Sequence, residues 1–531
     1  GRDLADLNIP QLIVMREPIA DQVAQAFLKQ FLKAFSTGQS FYSSVRQARE
    51  QLQGLEGDFP GASWLPVIFQ NPAETPMQWP QTSVTDDAPQ ANRPTIAALP
   101  PPTLPPPAPP SPAPSPPKPE PTGRKLRRGV WMSFAATVAV MGIRLTGVLQ
   151  PFELAAYDQL MRSRPKTLEE PIDPHLLVIE VTEDDTKTYG YPLDDDLLAR
   201  AIAQVQQHNP RVLGIDMHRA QPRGAGREEL IAQFEQHPNL FTVCSFDRGD
   251  RPIFAPPAEF SPEQRRNQVG FSDIEIDGNE NTRYPVARRQ LLTFEPTVTP
   301  GLSLCTTPYS FSFHLTYAFL KAEGVEPLET VKNDWQFGDV VFRRLPSRMV
   351  GYQDLDGQSS QILLNYRFNE RPARRVTLTD ILDGSVDPEL ITHRIVLMGT
   401  VDEVGLDEKE TPYGAMPGVW VHTHMVSQMV EAVLNGRSLI WGLPQWGWVQ
   451  WGDFLFVWAW AMVGGLVAGV VTMYARQRWA LILSGGVIIL VMYYTSLFIL
   501  LQGGWVPLLP ALLAFLMTLG IIGFYGRPKI Q

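Results

Sequence analysis

The chain has 531 residues, too many for one ordinary core, and its 44% hydrophobic content is gathered towards the end, so several units are expected. With 45 basic against 55 acidic residues the net charge is -10, which excludes a broad nucleic-acid surface and makes basic residues informative only where they cluster. Cys244 and Cys305, the two cysteines, exclude a disulfide framework and a four-cysteine metal site. One bridge outside the cytoplasm stays open, but two buried thiols are the expectation. The opening at Gly1, on charged residues and with no secretory signal, reads as a fragment of a longer protein.

QLIVMRE at 11–17 is a short β-rich run. Val23, Ala26, Phe27, Phe31 and Ala34 then recur at helical spacing, and Tyr42, Val45 and Ala48 repeat the pattern between Phe41 and about Leu55. LPVIFQNP closes the segment as a strand, which makes it the back end of an α/β domain. Through NIPQLIVMREPIADQVAQAFLKQFLKAF, VRQAREQL and ASWLPVIFQNP, residues 1–70 resemble the C-terminal part of the caspase-like CHAT domain family. That resemblance implies a His base and a Cys nucleophile upstream of the first strand. Neither residue type occurs before His175, so the chain as given is expected not to cleave peptides by that route.

Residues 71–123 turn to Pro, Ala, Ser and Thr, with PPTLPPPAPPSPAPSPPKPEP at the centre. Proline fixes φ and removes donors, so an extended, semi-rigid linker is predicted.

RKLRR at 124–128 precedes an apolar run, Val130–Leu149, that contains Arg144. Near the far end of a span that side chain is expected to snorkel to the interface. Phe454–Tyr474, Trp479–Leu501 and Val506–Tyr525 are three further runs without charge. Four spans put RKLRR, Arg476 with Arg478, and Arg527 with Lys529 on one side, so both termini are read as cytoplasmic and residues 150–452 as extracytoplasmic. Trp441, Trp446, Trp448 and Trp451 read as an interfacial belt beside the lipid bilayer, with a ligand cage as the alternative.

Between the first and second spans the expected fold is α/β, a mixed sheet with βαβ units. HLLVIEV, a helix carrying Leu198, Ala201, Ile202 and Val205, and RVLGID form one such unit. LFTVCSF, RIVLMGT and a helix carrying Val426, Met429, Val430, Val433 and Leu434 continue it, with Gly436 as its cap. Paired strands are predicted between Val269 and Glu295, around IEIDGNENTR.

Such sheets bind ligands at the carboxyl ends of their strands. Those ends carry Glu183, Asp184 and Asp185, then Asp216, then Asp402 and Asp407 within 400–407, and Arg283 approaches from the hairpin. The acidic edge suits a cation, an amine or a polar metabolite. His422 and His424, two apart on a helix, point to different sides and are not expected to share a metal ion. No cofactor motif is legible, so the cofactor is left unknown.

DQLMRSRP, VIEVTEDD, PRVLGIDM, VGFSDIEIDG, QILLNYR, RIVLMGT and TPYGAMPGVWVHTHMVSQM, in that order, resemble the second class of CHASE domains, extracytoplasmic sensors of bacterial signalling proteins. The resemblance implies detection of an unidentified signal, control of a cytoplasmic protein partner such as the CHAT-like module, and three anchoring spans. A homodimer is compatible with it. A membrane-anchored scaffold and an extracytoplasmic hydrolase are the alternatives.

Overall fold

The computed structural model describes residues 11–15, 21–52, 66–70, 122–165, 171–246, 255–278, 285–294, 304–330, 334–357, 359–402, 407–474 and 478–525. Most of the proline-rich segment, Arg283, Arg476, Arg527 and Lys529 lie outside these residues. Contacts divide the chain into two units, Gly1–Ser115 and Pro116–Gln531.

In the first unit β1 (Gln11–Met15) pairs antiparallel with β2 (Pro66–Gln70), and α1 (Asp21–Ser36) and α2 (Phe41–Leu52) lie between them in sequence. Val23, Phe27, Phe31 and Ala34 are buried, the face that their spacing predicts. On α2 the buried set is Phe41, Ser44, Val45, Ala48 and Leu52. Tyr42 instead points outwards at 46% exposure, because Phe41 takes the inward position against Phe31 and Phe35.

The second unit begins with α3 (Thr122–Leu145) and α4 (Gln150–Arg162). Its centre is a six-stranded sheet built from β3 (Leu176–Val181), β4 (Val212–Asp216), β5 (Leu240–Cys244), β6 (Val269–Phe271), β7 (Arg374–Thr377) and β8 (Ile395–Thr400). The spatial order is β7-β3-β8-β4-β5-β6, and every pair is parallel. The sheet is therefore not mixed as the sequence suggests. Among the described residues of this unit, antiparallel pairing occurs in small satellite sheets such as Arg289–Thr293 with Ser360–Leu363 and in isolated bridges. Among the described residues of 269–295 one antiparallel bridge, Asp277 to Val286, joins the two sides of the expected pair, whose tip lies outside the described residues, and Val269–Phe271 joins the main sheet.

Side chains alternate across this sheet. Leu177, Ile179, Leu213, Ile215, Val396 and Met398 face α5 (Asp195–Gln206) and α6 (Arg227–Gln236). Leu176, Val178, Val212, Ile395 and Leu397 face α7 (Phe311–Ala322) and α8 (Gly418–Asn435). Gly214 lets α7 approach closely, since a Cβ there would sit 2.7 Å from the Phe311 ring. Gly436 ends α8 in the left-handed conformation, φ 70°. Cys244 and Cys305 form a disulfide, which corrects the expectation of two thiols and ties the end of β5 to the segment before α7.

Among the described residues two helices are long and apolar enough to cross a membrane, Trp451–Thr472 and Trp479–Leu501. A third span arises if Gly129–Leu145 and Gln150–Arg162 count together, although they meet at 98°. This falls short of the four predicted spans for two physical reasons. The first apolar run breaks at Gly147, φ 78°, just before Pro151 opens the next helix. The last run becomes helical only after Pro507, leaving Leu508–Gly523 as a shorter apolar helix.

Arg144 does not snorkel. It is fully buried at the bend, donating from Nε and Nη2 to Glu153 at 2.8 and 3.0 Å and from Nη1 to Asp453 at 2.7 Å. The same guanidinium reaches Gln450 at 3.2 Å and the Val350 carbonyl. One side chain thus joins the first helix, α4, a loop of the α/β domain and the start of helix Trp451–Tyr474.

Candidate functional site

The carboxyl ends of the central strands do converge, but the acidic residues there divide into two kinds. Thr182 follows β3 and caps the helix Glu183–Tyr189 through a capping box with Asp185. The second oxygen of Asp185 accepts from Thr379 N at 3.0 Å and Thr379 Oγ1 at 2.6 Å, so its acceptors are consumed in fastening two elements. Asp402 likewise accepts from Thr186 Oγ1 at 2.5 Å. Glu183 and Asp184 are exposed in the first turn, where the helix dipole favours them without any ligand.

Asp216 and Asp407 are different. The hairpin Glu408–Thr411 with Gly414–Pro417 folds back so that Asp407 O accepts from Gly418 N at 2.7 Å, which places Asp407 over the first turn of α8. Gly399 and Gly418 make room for this arrangement. A Cβ at Gly399 would lie 3.3 Å from Asp216 Cβ, and one at Gly418 would meet the Asp407 carboxylate. Burial, followed by the nearby Asp407 charge, pushes the Asp216 carboxyl up to about 7. Lys409 pairs with Asp407 and opposes part of that effect.

Two histidines complete the cluster. His422, one turn into α8, is 2% exposed, packs edge-on against Phe311 and is bonded to the Ser272 backbone. The Oγ of Ser272 lies 3.5 Å from His218 Nε2. Burial lowers both imidazoles to about 4, so they are neutral hydrogen-bonding groups at ordinary pH. His424 faces away, accepting from Arg367 N at 3.2 Å and packing on Tyr366. Sequence reasoning found Asp216 and Asp407 but missed His218, whose signal was its place two residues beyond a strand end. The arrangement can accept hydrogen bonds from a polar or cationic group and exchange a proton near neutrality.

At the opposite end of β3, Asp173, His175 and Glu431 lie close enough together to hold a metal ion. Their carboxylates already face Arg367 at 3.5 and 3.4 Å, and Asp173 also accepts from Ser427 at 2.7 Å. An ion there would compete with a resident guanidinium.

A site that the sequence did not reveal lies beside α4. A cavity of about 740 Å³ opens between that helix, the segment Glu275–Gly278, Arg288, Arg289 and the loop carrying Tyr352 and Asp354. Arg288 grips Asp158 of α4 with two bonds of 2.7 Å and Asp277 with one of 3.1 Å. Arg289 donates to Asp277 at 2.8 Å and lies over the Tyr352 ring, 5.4 Å from its centroid. Asp158 lies 130 residues from Arg288, and Tyr352 comes from a later loop, so no local pattern announces the set.

The family model for the CHASE2 domain matches residues 135–466. No curated protein and no solved structure gives a match.

Proposed function

Because the chain belongs to the CHASE2 domain family, a family of extracytoplasmic sensor domains, we propose that residues 150–452 detect a ligand or stimulus outside the membrane and signal through the membrane helices. The receiver is the CHAT-like module of residues 1–70, or a cytoplasmic protein that reads it. In this reading the helices Trp451–Thr472 and Trp479–Leu501 cross the bilayer, with Arg476 and Arg478 and the N-terminal module on the cytoplasmic side. The basic segments at 124–128 and 476–478 favour that orientation, and the disulfide suits an oxidising compartment.

The observation that carries the proposal is the Arg144 junction. A ligand changes an output only if it binds two states with different affinity and those states differ where the output is read. Glu153 and the Val350 carbonyl belong to the sensing domain, whereas Asp453 opens a membrane helix, and all three are held by one guanidinium. Displacement of α4 is therefore transmitted at once to the helices. The chain itself acts as a receptor, and the Asp216 cluster is a polar contact point for the signal rather than a hydrolytic centre.

Because Cys244 and Cys305 are fully buried in their disulfide, an exposed thiol introduced by Leu328→Cys and treated with an impermeant maleimide on intact spheroplasts tests the topology. Labelling at position 328 before lysis is the expected result. Labelling that requires lysis would place the domain inside and remove the sensor reading.

A further inference from the structure

We infer that the cavity beside α4 is a binding pocket for a small organic amine. The inference rests on the sensor reading only for what binding achieves, not for the pocket itself.

Size comes first. About 740 Å³ falls in the range that holds a metabolite-sized molecule. Charge selects the class of ligand. The guanidiniums of Arg288 and Arg289 are nine-tenths buried and already clamped by Asp158 and Asp277, so an arriving anion would have to break existing ion pairs. At the mouth, Asp354 and Glu410 present exposed carboxylates that pair with no other described residue. Acidic side chains outnumber guanidiniums in the lining, and an ammonium group finds free acceptors where a carboxylate finds none. Apolar surface from Leu154, Val286 and Leu355 would cover a hydrocarbon body.

The position also explains how occupancy is felt. Gln150, at the start of α4, lines the cavity and accepts from Gln353 N at 2.8 Å. Gln353 in turn donates to the Val350 carbonyl at 3.0 Å, the same oxygen that Arg144 holds. A ligand wedged against α4 is two hydrogen bonds from the membrane junction.

The test uses the full chain in lipid nanodiscs and isothermal titration with cadaverine and tyramine, against 1,5-pentanediol and glutarate. At least one amine is expected to bind while the diol and the dicarboxylate do not. Asp354→Asn with Glu410→Gln, both exposed positions, should weaken binding by roughly tenfold or more. Ala155→Trp should fill the cavity and abolish binding, while Glu228→Gln, exposed on α6 and outside the cavity lining, should leave it unchanged. Binding of neither amine, preferred binding of glutarate, or equal amine affinity in the carboxylate variant would each overturn the pocket. Hydrogen exchange across 144–153, with and without amine, separates the two claims. Binding without a change there upholds the pocket and removes the sensor mechanism, whereas failure to bind in a domain labelled from outside removes the pocket alone.

Discussion

Arg144 and Asp216 are both charged side chains held within one folded unit, and their surroundings treat them in opposite ways. Arg144 has two carboxylates, a side-chain amide and a carbonyl around it, so its burial is compensated from every side. Asp216 sits at a strand end, with another carboxylate as its main charged neighbour and neutral imidazoles beyond. Compensated charges hold elements in register, and uncompensated ones are where a proton or ligand can change the energy. The contrast therefore separates the joint of the molecule from a place where it can be acted upon.

The largest effect should come from removing the joint. Arg144→Met leaves Glu153 and Asp453 buried without a counter-charge, which costs about 3–5 kcal/mol and should show as a large fall in melting temperature of the nanodisc-held chain. Adding Glu153→Leu and Asp453→Leu should restore most of that loss, because an apolar triad needs no compensation. A triple variant as unstable as the single one would mean that the network is not the joint.

A smaller effect separates the Asp216 cluster by pH. His218, His314 and His422 are held near about 4 and His424 near about 3 by burial, whereas unfolded imidazoles titrate near ~6.5. The unfolded chain takes up more protons as pH falls through that window, so the histidines make the fold less stable between about pH 6.5 and 4. Asp216 has the opposite sign. Its folded carboxyl accepts a proton near about 7 and its unfolded one near ~3.9, so its penalty is full above pH 7 and fades towards pH 4. Asp216→Asn should thus melt a few degrees above the parent at pH 8 and converge on it near pH 4. Equal melting curves at pH 8 would show that Asp216 is not constrained.

The smallest effect isolates the neighbour. Burial is the first cause of the Asp216 shift and Asp407 the second, so Asp407→Asn should reduce, without abolishing, the gain produced by Asp216→Asn at pH 8. A double-mutant cycle should give a coupling of roughly 0.5–1 kcal/mol. Additive single effects would remove Asp407 from the cluster.

How much of this was legible in the sequence follows from distance along the chain. Leu198, Ala201, Ile202 and Val205 announce their helix because one face repeats within a few residues, and RVLGID and RIVLMGT announce strands for the same local reason. Asp216 was placed correctly because a strand end is a local fact. Arg144 was misjudged because its partners include Gln450 and Asp453, more than 300 positions away, and a lone arginine in an apolar run reads as one bound for the interface. The Cys244–Cys305 bridge spans 61 residues with nothing local to favour it over two thiols. The cavity is formed by a helix, a bridge and a loop that meet only in the fold.

The place of RIVLMGT in the sheet bears on how the protein is made. Ile395–Thr400 is the last of the six strands to emerge in synthesis, yet it lies between Leu176–Val181 and Val212–Asp216 and bonds to both. Until some two hundred later residues have been delivered, those early strands face an empty slot with two open edges, a ready template for wrong pairing. The domain cannot close behind the ribosome piece by piece, and a half-built sheet has to be kept apart until one late segment arrives.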